Sequence, residues 1–430
     1  MTIYIYKVLT IILSPLIDIY MLIRLLRGKE DKIRIKERFG YSSIKRPNGK
    51  LIWFQCASVG ETNSVINLIY KILDKYHNNV NILITTGTKT SAKIIANKIA
   101  NNTNIIHQYT PIDKYFVIKR FLKHWKPNVL ITVESEIWPN MITMAHKVCE
   151  KVMIVNAKMS KRSYKRWKKF KHLKNKIFDS IDICYVQTQL DQYKLINLGI
   201  QNTIYLGNLK FDTEKLPVNE EFKNILLKSI NGRHTLLCAS SHKLEEEKLL
   251  ELYKQLKKDF NDLLFIIAIR HSNRSNNIYK LLTKNNFNVS RKSKNEIINN
   301  TTNFYIYDEM GEMGTLFDVS KIVLMCGSLT RKQKGHTPVE PARFGCAIIT
   351  GPYIRNNQSL FKELERNNAC FICYDNRKGL INNICEKLIP LMQDSKKVEE
   401  LGENAKNVCN TFQNTAEKIA NNIVLNLEYI

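Results

Sequence analysis

The residue types best suited to chemistry in this chain stand where apolar runs end. Glu61 lies just beyond the run 51–57, Glu134 directly follows the run 129–133, and Arg270 directly follows 263–269. Lys210 sits within the Tyr-Leu-Gly-Asn-Leu-Lys-Phe-Asp stretch at 205–212. If the runs are parallel strands, these residues occupy the loops where ligand groups gather in open α/β sheets. Arg270 is then placed to hold a phosphate or a cytosine-type base edge, and Lys210 is a candidate cation. Blander accounts stand beside these: Glu61 also suits a helix N-terminal acid favoured by the dipole, and Arg270 an ordinary surface arginine.

A second kind of signal spans Gly327 to Pro352. The apolar run 322–326 ends in Gly327-Ser328, a basic loop follows (Arg331, Lys332, Lys334), and then Gly335-His336-Thr337-Pro338-Val339-Glu340. Thr337 fits a helix N-cap, Pro338 the first helical position and Glu340 the third, a capping box. A helix opening from a glycine loop at a strand end offers backbone N–H groups that suit a phosphate. The same residues also simply cap helices.

The elements that must position these groups alternate. Strand patterns at 51–57, 80–85, 105–109, 129–133, 151–156 and 181–187 are interleaved with helical patterns starting near 63, at 90–100, at 113–125 and after Pro139. A second series begins at 235–239 and continues through 263–269, 303–307, 322–326 and 346–350, with helices at 244–260 and 315–319 and a glycine-flexed turn at Met310-Gly311-Glu312-Met313-Gly314. Such alternation predicts parallel sheets covered on both faces. The reading is an α/β chain of two Rossmann-like domains: 1–30 a membrane anchor, 31–213 the first domain, and 214–430 the second with an amphipathic final helix, 416–427, packing back. No G-x-G-x-x-G fingerprint or GK[ST] loop is present, which argues against dinucleotide redox chemistry and ATP hydrolysis. A two-Rossmann glycosyltransferase of GT-B architecture fits, its domains facing across a cleft with the acceptor on the first and the nucleotide on the second.

Composition adds partners. The 430 residues carry 66 Lys and Arg against 39 Asp and Glu, a net charge of +27, which favours nucleotides, lipid phosphates, membrane surfaces or nucleic acid. The segment 3–26 is mostly apolar, broken by Lys7, Pro15 and Asp18, and is followed by seven basic residues from Arg24 to Arg38. It reads as a span with the bulk of the protein on the cytoplasmic side, or as a helix lying in the interface. From 161 to 176 there are nine Lys or Arg and no acid, interleaved with Tyr164, Trp167 and Phe170. That pattern suits anionic headgroups or a nucleic-acid groove. Ten cysteines, mostly in apolar runs, read as reduced thiols, and the lone Cys370–Cys373 pair does not make a zinc site.

Taken together, Ala57-Ser58-Val59-Gly60-Glu61, Glu134-Ser135-Glu136-Ile137-Trp138-Pro139-Asn140, Gly207-Asn208-Leu209-Lys210-Phe211-Asp212, Met310-Gly311-Glu312, Gly327-Ser328-Leu329, Gly335 to Glu340 and Thr350-Gly351-Pro352 resemble the ordered motifs of the 3-deoxy-D-manno-octulosonic acid (Kdo) transferases. The resemblance runs over nearly the whole chain. It implies transfer of Kdo from CMP-Kdo to the lipid A precursor lipid IVA, in lipopolysaccharide core biosynthesis at the cytoplasmic face of the inner membrane. It assigns the proton acceptor to Glu61, transition-state support to Glu134 and Lys210, and CMP contacts to Ile269, Arg270, Met310, Gly311, Glu312, Thr337, Pro338, Val339 and Glu340. Two departures stand out: Ile269 where the family usually has proline, and Thr337 where it usually has asparagine.

The implied reaction is an inverting transfer in which an acceptor hydroxyl, whose pKa lies far above 7, needs a positioned carboxylate. Lys210 would hold either the Kdo carboxylate or the phosphate. No Asp-x-Asp motif suits a divalent ion, so no metal and no cofactor is expected. Two rivals remain: another GT-B nucleotide-sugar enzyme, such as an epimerase or a transferase with a different donor, and a non-catalytic nucleic-acid-binding protein. Glu61, Glu134 and Glu312 at strand ends count against the second, so no nucleic-acid partner is expected.

Overall fold

A computed structural model describes residues 2–99, 102–212 and 214–428. Position 100, the last of the expected helix 90–100, and the boundary residue 213 lie outside the described residues. The chain forms two compact units, one built from the residues up to 212 together with those from 414 onward, the other from 214–413.

In the first unit, seven strands form one sheet: β1 (Lys50–Cys56), β2 (Val80–Thr86), β3 (Ile105–Tyr109), β4 (Val129–Val133), β5 (Lys151–Ala157), β6 (Ile183–Val186) and β7 (Thr203–Tyr205). Their order is β3-β2-β1-β4-β5-β6-β7, with every pairing parallel. Continuous apolar runs produce such strands because helices cover both faces. Along β1, Ile52, Phe54 and Cys56 pack into one layer with the helices Val59–Lys75 and Thr415–Glu428, while Leu51 and Trp53 enter the other with Tyr115–Trp125 and Lys171–Phe178.

The second unit repeats the plan with β8 (Thr235–Ser241), β9 (Leu264–Ile269), β10 (Val289–Arg291), β11 (Phe304–Tyr307), β12 (Ile322–Met325), β13 (Ala347–Thr350) and β14 (Cys370–Ile372). Their order is β10-β11-β9-β8-β12-β13-β14, again all parallel. Each sheet reverses its strand order once, between β1 and β4 in the first and between β8 and β12 in the second. Loops at such a reversal diverge and leave a crevice at the strands' carboxyl ends.

The N-terminal segment forms two helices, Ile3–Ile12 and Ser14–Leu26, bent by 58° at the break between them. Among the described residues no single helix is long and apolar enough to cross a membrane, although this bent pair passes the test of length and composition together. Ile3 and Met21 are buried, while Tyr4, Ile12, Leu16, Ile19 and Leu26 are exposed. Polar bonds tie the pair down. Tyr6 donates to Asp113 at 3.0 Å, and Asp18, which interrupts the apolar pattern, meets Lys114 at 2.5 Å.

The basic run 161–176 forms two helices, Lys161–Lys169 and Lys171–Phe178, meeting at Phe170. Tyr164, Trp167 and Phe170 pack inward against the core. They are therefore structural anchors that leave a basic outer face, rather than aromatic wedges directed at a ligand.

Candidate active site

At the first reversal point, Ser58, two residues past β1, caps the helix Val59–Lys75, which begins four residues earlier than the apolar spacing predicts. The local cause is a capping arrangement. Ser58 Oγ accepts from the Glu61 N–H at 3.3 Å and donates to Glu61 Oε1 at 3.0 Å, while the Ala57 N–H donates to Oε2 at 2.6 Å. Glu61 thus sits in the first turn and is almost wholly buried. Burial first, then the charges of Glu136 and Glu134, raise its carboxyl to about 7 against the lowering effect of the Ala57 and Ser58 hydrogen bonds. A carboxyl held there is divided between acid and base near neutral pH, the range in which general-base catalysis is efficient.

Across the reversal, Glu134 follows β4 with φ of 59°. This left-handed conformation is unfavourable for a residue with a Cβ, and such strain clusters at functional sites. Its N–H is held by the Val155 carbonyl at 3.0 Å. Two lysines converge on the buried carboxylate: Lys210 Nζ lies 2.5 Å from Oε1, and Lys158 Nζ contacts Oε2. Burial pushes this carboxyl up, but Lys210 and Lys158 together outweigh burial and hold it below the ordinary range. Glu136 is raised by burial, accepts from Trp138 Nε1 at 2.6 Å, and faces Glu134 electrostatically. Of the residues expected from sequence, the fold brings Glu61, Glu134 and Lys210 into one electrostatic group. Lys158 was not foreseen. Its only sequence signal is a lysine one residue past β5.

In the second unit, Ile269 ends β9, and the Arg270 N–H donates to the Ser241 carbonyl at 3.0 Å. The Arg270 guanidinium is exposed and takes no hydrogen-bond partner among the described residues. Glu340 is raised by burial and lowered by Arg270, so these two share one field. Gly311 has φ of 117° and open space where a Cβ would stand, leaving the Met310–Glu312 turn uncovered. The Glu312 carboxylate turns to Thr315 Oγ1 at 2.8 Å and Asn219 Nδ2 at 3.2 Å, and among the described residues no hydrogen bond or ion pair joins it to Arg270 or Thr337.

The capping box expected at 337–340 does not form. The helix is a single turn, Val339–Arg343, with Pro338 as its N-cap, and Thr337 Oγ1 receives only a 3.4 Å bond from the Val339 N–H. The side chain is one position too early to cap in the usual way. The Gly327 loop is not an open amide cradle either. The fully buried Glu245 accepts from the N–H groups of Gly327 at 2.7 Å, Leu329 at 2.8 Å and His242 at 3.0 Å. The Gly351 N–H is taken by Ser328 Oγ at 2.8 Å. Gly327 itself has φ of 72°, and a Cβ there would lie 2.8 Å from the His336 ring.

That ring belongs to a pair the sequence reading passed over. His242 and His336 lie with Nε2 atoms 2.8 Å apart and ring planes within 9°. Burial, then His271, Arg270 and Arg274, lowers His242 to about 4; burial, then His242, Arg270 and His271, lowers His336 to about 4. Both are neutral at pH 7, so one Nε2 donates and the other accepts. Among the described residues, no group of three or more His, Cys, Asp or Glu could hold a metal ion.

Comparison with known proteins places this geometry. The family model described as 3-deoxy-D-manno-octulosonic-acid transferase (kdotransferase) matches residues 33–213, and that for glycosyl transferases group 1 matches 239–408. A 3-deoxy-D-manno-octulosonic acid transferase of Rickettsia bellii (strain RML369-C) is 37% identical over 93% of this chain and 94% of its own length. One from Haemophilus influenzae (strain ATCC 51907 / DSM 11121 / KW20 / Rd) is 30% identical over 84% of each chain. Among solved structures, a UDP-GlcNAc 2-epimerase from Neisseria meningitidis shares the fold at a TM-score of 0.57 and 14% identity, covering 87% of this chain and 99% of its own. The fold is thus the two-domain GT-B type, and the chain belongs to the 3-deoxy-D-manno-octulosonic acid transferase family, as a glycosyltransferase acting with Kdo.

Proposed function

We propose that this enzyme transfers Kdo from CMP-Kdo to lipid IVA with inversion at the anomeric carbon, in lipopolysaccharide core biosynthesis, and that Glu61 is the general base. The observation that carries the reading is the Glu61 carboxyl. It is buried at a reversal point of a parallel sheet, fixed by Ala57 and Ser58, and raised to about 7. An acceptor hydroxyl needs such a partner because it loses its proton as the new glycosidic bond forms. Glu134, kept ionised by Lys158 and Lys210, fixes both ammonium groups at the reversal point, where Glu134 and Lys210 support the transition state.

CMP is assigned to the second unit. Arg270 meets the phosphate, whose charge grows as it leaves, and the Ile269–Arg270, Met310–Glu312 and Thr337–Glu340 segments border the nucleotide. The unpartnered guanidinium supports this, as does the uncovered turn at Gly311. The neutral imidazole pair beneath Gly327 adds hydrogen-bonding groups without adding charge.

The acceptor is a lipid, and the N-terminal helix pair suits an interfacial anchor on the inner membrane, with both units on the cytoplasmic side. Its exposed Leu, Ile and Tyr side chains would enter the headgroup boundary, while the exposed Arg27, Lys29, Lys32 and Lys36 and the basic face of residues 161–176 meet anionic lipid. Incubation of the purified enzyme with CMP-Kdo and lipid IVA, read by mass spectrometry, tests the whole proposal. A mass increase of one or more Kdo units with release of CMP is expected. Transfer from UDP-sugars or CMP-sialic acid instead would replace the donor assignment.

A further inference from the structure

Lys158 reaches Glu134 because β5 is irregular at its end. The pairing of β5 with β6 shifts register between Ile154 and Ala157, and Asn156 stands at φ of 54°. A bulge of this kind re-aims the side chains that follow it. The backbone around Lys158 is then clamped. Its carbonyl accepts from Ser135 Oγ at 3.0 Å, the Met159 N–H donates to Asp191 at 2.9 Å, and the Met159 carbonyl accepts from Lys194 at 2.7 Å. Lys210 is aimed by the same bulge, since Asn156 Oδ1 accepts from the Leu209 N–H at 3.0 Å while Asn208 Oδ1 accepts from the Lys210 N–H at 3.0 Å.

Two ammonium groups therefore face one carboxylate, and each keeps N–H donors that Glu134 does not take. The Lys158 side chain is 39% exposed and that of Lys210 19%, whereas the Glu134 side chain between them is 4% exposed. Both cations are open on a side that Glu134 does not cover. In the bulge that aims both lysines, Asn156 Nδ2 is fully buried and has no hydrogen-bond partner. Buried amide donors are rarely left unpaired unless a ligand or water completes them. A surplus of N–H donors at the end of a strand suits an anionic oxygen.

We infer that Lys158 and Lys210, spaced by Glu134, form a two-ammonium seat for the carboxylate of the donor sugar acid, with Lys158 as a substrate-binding residue that sets specificity for ulosonic acids. The inference rests on the donor proposed above. In such a sugar the carboxylate is bonded to the anomeric carbon, so a seat for it also fixes the carbon that reacts. Nucleotide-sugars whose sugar carries no carboxylate offer this seat no such group.

The test compares Lys158→Met, Lys158→Arg and the unmodified enzyme in steady-state kinetics with CMP-Kdo and lipid IVA, alongside binding of CMP alone. Lys158→Met is expected to raise the KM for CMP-Kdo by roughly ten- to a hundredfold, the loss of one charged hydrogen bond. The KM for lipid IVA and the affinity for CMP should stay within about twofold, and Lys158→Arg should recover most of the loss. A merely structural lysine would move both KM values and kcat together with the melting temperature, which would overturn the inference. So would an unchanged donor KM. A rise confined to the lipid IVA KM would assign the seat to an acceptor phosphate and reject the carboxylate. If the unmodified enzyme moved no Kdo from CMP-Kdo, the donor assignment itself would fall, and this inference with it.

Discussion

At the reversal point of the first sheet, five charged side chains crowd together: Glu61, Glu134, Glu136, Lys158 and Lys210. At that of the second sheet, a buried glutamate is committed to three backbone N–H groups, two imidazoles are neutral, and the Arg270 side chain is exposed. The two sites begin from the same topology, a crevice between diverging strands, and differ in how charge is handled. In the first, like charges are packed so that one carboxyl rises to about 7 while its neighbour is held ionised, as proton transfer requires. In the second, a buried carboxylate is committed to the backbone scaffold, while the Arg270 guanidinium, without a hydrogen-bond partner among the described residues, can meet an anion. The first arrangement suits making a bond, the second holding a nucleotide.

Four experiments press on that contrast, from the largest effect to the smallest. Glu61→Gln keeps the shape and the acceptor for the Ala57 N–H but cannot take a proton. Transfer should fall roughly a hundred- to ten-thousandfold, with CMP affinity and melting temperature near those of the unmodified enzyme; surviving transfer would move the base elsewhere. Arg270→Ala should do the reverse, weakening CMP binding by about ten- to a hundredfold in a titration at fixed ionic strength. An unchanged affinity would remove Arg270 from the phosphate.

Glu245→Gln probes the scaffold of the second unit. An amide oxygen cannot satisfy all three N–H groups that the carboxylate now serves, so a loss of about 1–3 kcal/mol is expected. Calorimetry should show the second unit melting several degrees lower, since about 1 kcal/mol moves a domain of this size by roughly 2–4 °C. Glu136→Gln is the subtlest. With Glu61 as the proposed base, acting as the carboxylate, kcat/KM should rise with pH through about 7. Removing the Glu136 charge favours the ionised form of Glu61, and the rising limb should move to lower pH by a fraction of a unit. A limb that moved upward, or stayed, would show that Glu136 does not tune the base.

The apolar runs disclosed the central strands because a parallel strand covered on both faces must be apolar throughout. The short edge strands β7, β10 and β14 have three residues each and carried no comparable pattern. The helix at Val59 begins earlier than its apolar face because Ser58 and Glu61 cap it: the sequence offered Glu61 as a helix N-terminal acid beside its chemical reading, but the Ser58 cap and the earlier start were missed. At Thr337 the opposite error occurred. A capping signature was present, yet the chain turns at Pro338 and the helix lasts one turn. Local propensity gives way there to the return into β13.

The sequence by itself determined the alternation of strands and helices, the ordered motifs, and the placing of Glu61, Glu134 and Arg270 at strand ends. Those are consequences of local chemistry and chain order. Only the tertiary structure decided what these groups meet. Lys158 lies 24 residues from Glu134 along the chain and reaches it through a bulge in β5. Glu245 finds the amides of Gly327 and Leu329 because β8 and β12 are neighbours. His242 meets His336 for the same reason. Ionisation depends on burial and on neighbours a few ångströms away, and a linear sequence specifies neither until the sheets have formed.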